Sequence, residues 1–148
     1  MVIEVGSKDD LIKLLSSSKY LSLATVNDEG NPQAAICAYV NIDEKVYIGT
    51  SSETSKVKNI AGNPNIAYSL DNGSDDWGAM QEIQMTGSAS ILNDEKLAQE
   101  VFGLMGEKFP QVKEMPADRE MVFLEIVPKS AKWSDYSKGF GNMEIIDF

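Results

Sequence analysis

Residues 50–58 read Thr-Ser-Ser-Glu-Thr-Ser-Lys-Val-Lys, a crowding of hydroxyls beside two lysines. The segment follows a run of strand formers and opens a predicted helix over Ser51–Ala61, stopped by Gly62-Asn63-Pro64. A helix N-terminus carries unpaired N–H groups and a partial positive charge, which together suit an anion. Lys56 and Lys58 fall within about the first turn, where a cation opposes the helix dipole by roughly 0.3–1 kcal/mol. A bound phosphate would relieve both the dipole and the lysines. The same residues also read as ordinary capping, with Ser51, Ser52 or Thr54 as the cap and Glu53 balancing the lysines. From these residues alone both readings stand.

Other residues narrow the chemistry. The chain has no histidine and a single cysteine, Cys37. Ser-His-Asp and Cys-His catalysis are therefore excluded, and a zinc site of His and Cys has too few ligands. Any chemistry must come from carboxylates, lysines or a bound cofactor. No catalytic residue is identified and no metal is expected. Cys37 reads as a small buried hydrophobe, since no base stands near it in the sequence. It belongs to a strand with Ala34, Ala35 and Ala38, small enough for a flat ring to approach the backbone, or for a helix or strand to pack closely. Gln81 and Gln84 lie in a strand expected to border the same cavity, or simply to face solvent. Trp77, Trp133, Tyr136 and Phe140 either cover an aromatic ligand or fill the core and an interface. Arg119, the only arginine beside twelve lysines, is expected to pair with Asp118 or Glu120.

The elements that must hold these residues are mostly strands. Ser7-x-x-Asp10 has capping-box spacing and predicts a helix over 8–18. Strand patterns follow at Tyr20–Val26, Gln33–Val40, Lys45–Thr50, Asn65–Leu70, Met80–Leu92, Met121–Val127 and Met143–Phe148, separated by turn signals such as Asn27–Pro32. Gly87 inside the long fifth run predicts a bend or bulge. Asn93 is expected to cap a helix with Leu97, Val101, Leu104 and Met105 on one face. Residues 109–119 read as irregular and 128–141 as a mixed segment. The meander order predicts a mainly β fold, a six- to seven-stranded antiparallel barrel with flanking helices. Residues 1–148 are expected to form a single domain.

Charge and hydropathy set the surroundings. The net charge of −10 argues against nucleic acid as a partner, because phosphate backbones require a basic surface. No apolar run approaches the ~18 residues of a membrane span. The opening MVIEVGSKDDLIKLL lacks the basic start and cleavage site of a signal peptide, so a cytoplasmic protein is expected.

The order of these signals resembles a known superfamily. Ala24-Thr25-Val26, the turn to Gly30-Asn31-Pro32, the strand to Val40, Val46–Ser51, Ser55-Lys56-Val57-Lys58-Asn59 and Asn63-Pro64 are similar to the pyridoxamine 5′-phosphate oxidase-like, FMN-binding split barrels. The short length and the tail from Trp133 to Phe148 resemble the general stress protein 26 and nitroimidazole-resistance branches. The resemblance implies FMN held at the interface of a homodimer. By position it makes Thr50, Ser51, Ser55 and Lys56 phosphate-side candidates, with Lys58 a lesser one. Ala35, Ile36 and Cys37 become ring-side candidates, and Gln81 (or Glu82) a ring-edge candidate.

Departures from the oxidase itself are equally specific. Its strand arginine and lysine are replaced by Ala35 and Val40, and the arginine before its phosphate lysine by Ser55. Its substrate-binding helix and C-terminal residues have no counterpart at 97–110 or 133–148. Pyridoxamine 5′-phosphate oxidation is therefore not expected. The resemblance implies instead an FMN-dependent oxidoreductase passing hydride or electrons between a reduced nicotinamide and a small acceptor. Alternatives are a non-catalytic flavin-binding stress protein, a relative using deazaflavin or haem (the latter ligated by Cys37 or a tyrosine), and a degenerate barrel without cofactor.

Overall fold

The computed structural model describes residues 5–115 and 120–148. Helix α1 (Val5–Ser17) leads into strands β1 (Tyr20–Val26), β2 (Pro32–Ala38), β3 (Val40–Ile42) and β4 (Lys45–Ser51). Helix α2 (Ser55–Gly62) precedes β5 (Asn65–Asp71), and β6 (Gln81–Ile91) runs to helix α3 (Glu95–Lys108). Strands β7 (Met121–Asp135) and β8 (Met143–Asp147) close the order, with short 3₁₀ turns at Trp77–Ala79, Pro110–Glu114 and Tyr136–Lys138. The strands form one sheet in the order β2-β1-β5-β6-β7-β4-β3, and β8 pairs beside them with β7. Every pairing is antiparallel. This is the expected split barrel.

Alternation decides what the sheet encloses. Leu21 and Leu23 of β1, Tyr68 and Leu70 of β5, and Ile83 and Met85 of β6 point inward and are buried. Helix α1 supplies Leu11, Leu14 and Leu15 to the same core, and α2 supplies Val57 and Ile60. A second apolar layer lies where α3 covers the outside of β3 and β4, with Val101 and Met105 against Val40 and Tyr47. The predicted apolar face of α3 is the face that packs.

Several boundaries differ from expectation, each for a local reason. Helix α1 begins at Val5, so Ser7 lies inside it, 1% exposed, rather than capping it. Asp94, not Asn93, caps α3 through the Leu97 N–H at 3.1 Å. Tyr39, fully buried, interrupts the expected strand 33–40, and the chain resumes as the extra strand β3. Strand β7 continues through Pro128 because Pro128 sits opposite Gly87, where the ladder register slips. A proline tolerates a bulge, where no ladder hydrogen bond is needed from it. Gly87 is required there: a Cβ would stand 2.5 Å from the Val127 carbonyl oxygen. The expected pairing of Arg119 with Asp118 or Glu120 lies outside the described residues.

Candidate functional site

The junction between β4 and α2 is built from hydroxyls that bond one another. Thr54 occupies the N-cap position of α2, yet its side chain makes no capping bond. Its Oγ1 donates instead to the Ser51 carbonyl at 3.0 Å and lies 3.4 Å from Oγ1 of buried Thr50. Ser51 Oγ accepts from the Glu53 N–H at 3.4 Å. The first intrahelical bond is that of the Lys58 N–H to the Thr54 carbonyl at 3.3 Å. The Ser55, Lys56 and Val57 N–H groups ahead of it have neither an intrahelical acceptor nor a capping side chain, the arrangement that suits an anion at a helix start.

A cleft of about 480 Å³ lies at this helix start. Leu23 and Thr25 of β1, Gln33, Ala34 and Ala35 of β2, and Ser55 and Lys56 of α2 line it. None of these residues is acidic. Lys56 is close enough to Cys37 for its charge to draw the thiol pKa down, although burial dominates and pushes that thiol up. Lys58 turns elsewhere, its Nζ 3.9 Å from Glu53 in an exposed pair. Glu53 therefore balances Lys58 and leaves Lys56 to the cleft.

A second, shallow depression of about 450 Å³ lies on the outer face of the sheet and shares Ala34 with the first. Ser22, Ala24, Ala67 and Ser69 give it a floor of small side chains, and Glu82, Gln84, Thr86 and Lys132 stand on its far side. Small residues on adjacent strands allow a planar group to approach the sheet closely. Ile36 projects from the same face of β2, 71% exposed.

The structure thus divides the residues singled out in the sequence. Ala35, Ser55 and Lys56 share one cleft, with Thr50 and Ser51 at its helix junction. Cys37 instead points into the core, 5% exposed, and Lys58 faces solvent. Gln81 donates from Nε2 to Asp135 Oδ2 at 3.3 Å and lines neither depression, whereas Glu82, the alternative to it at the ring edge, and Gln84 both line the second. Trp133 is fully enclosed among core side chains, so covering a ligand would require opening the core. Of the four aromatics singled out as possible covers, Trp77 and Phe140 are exposed, with ring centres 6.4 Å apart.

Two functional candidates were not visible as such in the sequence. Asn59 of α2 is 8% exposed, and its Nδ2 donates to Thr25 Oγ1 at 3.0 Å and to Gln33 Oε1 at 2.7 Å. The signals for Asn59 are its place at the end of the run Ser55–Asn59 that carries the family resemblance, and a polar residue at a buried position between Val57 and Ile60. Gln33 gives none, since an exposed glutamine on a strand is ordinary.

Comparison with known proteins gives a concordant result. The family model described as pyridoxamine 5′-phosphate oxidase matches residues 7–133. General stress protein 26 of Bacillus subtilis is 28% identical over 125 residues, 84% of this chain and 86% of that protein. The crystal structure of general stress protein 26 from Bacillus anthracis superposes with a TM-score of 0.72 at 22% identity, over 95% of this chain and 98% of that one. A haem-binding protein from Mycobacterium smegmatis superposes at 0.82 with 17% identity, over 99% of this chain. The chain spans only 60% of that mycobacterial protein's length.

Proposed function

The chain belongs to the pyridoxamine 5′-phosphate oxidase family, and from that premise we propose that it is an FMN-binding flavoprotein, an oxidoreductase passing hydride or electrons between a reduced nicotinamide and a small acceptor. The observation that carries this reading is the cleft at the start of α2, which Lys56 and Ser55 line together with no acidic side chain, beside helix N–H groups that have no capping side chain. That donor set fits a phosphate monoester. The shared Ala34 then leads from the phosphate end to the small-residue floor on the outer sheet face. There the backbone of Ala35 and Ile36 would border the ring. When bound, the isoalloxazine supplies the redox chemistry, and the protein's part is to hold, orient and polarise it.

Homodimerisation is part of the proposal. Ile36 and Tyr20, 71% and 53% exposed, stand on the face that the ring would occupy. A second copy laid over that face would bury them and enclose the cofactor. Oxidation of pyridoxamine 5′-phosphate is not proposed, because Ala35, Val40 and Ser55 replace the side chains that the resemblance would require for it.

The visible spectrum of the purified protein, before and after addition of FMN and desalting, tests the reading. Retained flavin bands are the expected outcome, followed by oxidation of a reduced nicotinamide. Slow or absent turnover with tight binding would replace the enzyme with a flavin-binding stress protein. A Soret band with added haem and no retained flavin would overturn the proposal in favour of haem. A colourless protein retaining neither would leave a barrel without cofactor.

A further inference from the structure

We propose that Gln33 reads the phosphate of the ligand through its side-chain amide, and that Asn59 is the positioning residue that turns this amide toward the cleft. The inference rests on the phosphate-ester reading above and adds to it a recognition residue outside the helix start. Thr25 and Gln33 lie directly opposite one another on β1 and β2. Asn59, one helical turn beyond Ser55, reaches both from beneath, spending one Nδ2 hydrogen on Thr25 Oγ1 and the other on Gln33 Oε1. An amide nitrogen has two hydrogens, and both are committed. The 2.7 Å bond occupies the oxygen end of Gln33, so its Nε2 is the end left for a ligand.

Gln33 is therefore fixed as a donor. It stands in the wall facing Ser55 and Lys56, which are donors as well. Three donor groups from two elements around one cleft match the acceptor-only oxygens of a phosphate. The clamp also ties both strands to α2, so the donor spacing is held by a buried group rather than by an exposed side chain. An amide is pre-set in this way at no cost in net charge, which suits an acidic protein that must still accept a dianion.

The test compares FMN with riboflavin, which lacks only the phosphate, in wild-type protein and in Gln33→Glu and Gln33→Met. Both substitutions fall on an exposed strand position. Gln33→Glu places an acceptor and a charge against the phosphate and is expected to weaken FMN at least tenfold. Gln33→Met removes the donor alone and is expected to weaken FMN about fivefold. Riboflavin affinity should change less than twofold in each. Asn59→Asp, which must accept from Gln33 and turn its oxygen outward, should follow Gln33→Glu in lowering the FMN-to-riboflavin ratio. An unchanged ratio in Gln33→Glu, or equal losses for both flavins, would overturn the inference while leaving FMN binding intact. If the wild type binds neither flavin, the flavin reading fails and inorganic phosphate becomes the probe. Broadening of its ³¹P resonance by wild type and not by Gln33→Glu would sustain the role of Gln33, and any other pattern would refute it.

Discussion

The Nζ of Lys108 stands 4.0 Å from the centre of the Tyr39 ring and has no hydrogen-bond partner among the described residues. Tyr39 is itself fully buried, and its hydroxyl donates to the Leu15 carbonyl. Burial pushes its phenol pKa up, so the ring stays neutral beneath the ammonium. Burial, aided by the charge of Lys19, pulls the Lys108 pKa down to about 8. The last turn of α3 thus holds a cation where water is scarce, compensated by the ring and the helix dipole.

A pH dependence follows with a definite sign. The unfolded chain keeps the Lys108 proton up to about 10.5, whereas the folded chain releases it near 8. Between those values the unfolded state binds more protons, so this group's contribution to stability rises with pH. Lys108→Met, which keeps the contact with the ring and removes the charge, should raise Tm at pH 7. The difference from wild type should shrink as pH climbs from about 8 to 10.5. Thermal melts showing a pH-independent difference would mean that no buried charge is involved.

Glycines 87 and 103 should respond to alanine in opposite directions. A Cβ at Gly87 meets the Val127 carbonyl oxygen at 2.5 Å and the Pro128 Cα at 3.3 Å, both backbone. Gly87→Ala is expected to cost about 1–3 kcal/mol, as overpacking does. A Cβ at Gly103 of α3 meets nothing within 4 Å. Gly103→Ala should therefore stabilise by roughly 0.5–1 kcal/mol, the helix-propensity gain. Denaturant midpoints of the two variants give the comparison directly.

Lys56 and Lys58 lie two residues apart and should not be equivalent. Lys56→Ala is expected to weaken FMN by at least ~1 kcal/mol, the low end for a charge-assisted bond. Lys58 faces Glu53 in solvent, and an exposed pair of this kind is worth little. Lys58→Ala should change FMN affinity less than about twofold, on the same scale as such surface pairs. Equal losses in flavin titrations of the two variants would show a general charge effect instead of a site at Lys56.

Cys37 should resist thiol reagents in the folded protein. Its side chain is 5% exposed, and burial raises its pKa against the weaker opposing pull of Lys56. Both factors suppress the reactive thiolate. Labelling is expected to be more than about tenfold slower in native buffer than in denaturant, since it must await local opening. Comparable rates in the two conditions would place the thiol at the surface.

Much of this molecule was legible in its residue order. Strand-forming runs such as Tyr20–Val26, punctuated by turn signals such as Asn27–Pro32, are local properties, and their meander order pointed to an antiparallel β fold with three helices. The absence of histidine excluded whole classes of catalysis. The helix after the hydroxyl-and-lysine run was equally local, because hydroxyls, lysines and a following apolar stripe are neighbours in the chain, although it begins at Ser55 and not at Ser51, which ends β4. Tertiary structure decided what those neighbours face. Lys56 and Lys58 are indistinguishable in sequence, and only the fold gives one to the cleft and the other to Glu53. Trp133 and Gln81 had plausible ligand roles by position, yet core packing and Asp135 engage them. Gln33 and Asn59 are 26 residues apart and become a pair only because β1, β2 and α2 meet. Short-range order follows from backbone propensity and hydrophobic period, which each segment carries within itself. The direction of a polar side chain depends on which distant partner satisfies it, and that is settled only when the sheet curls round its core.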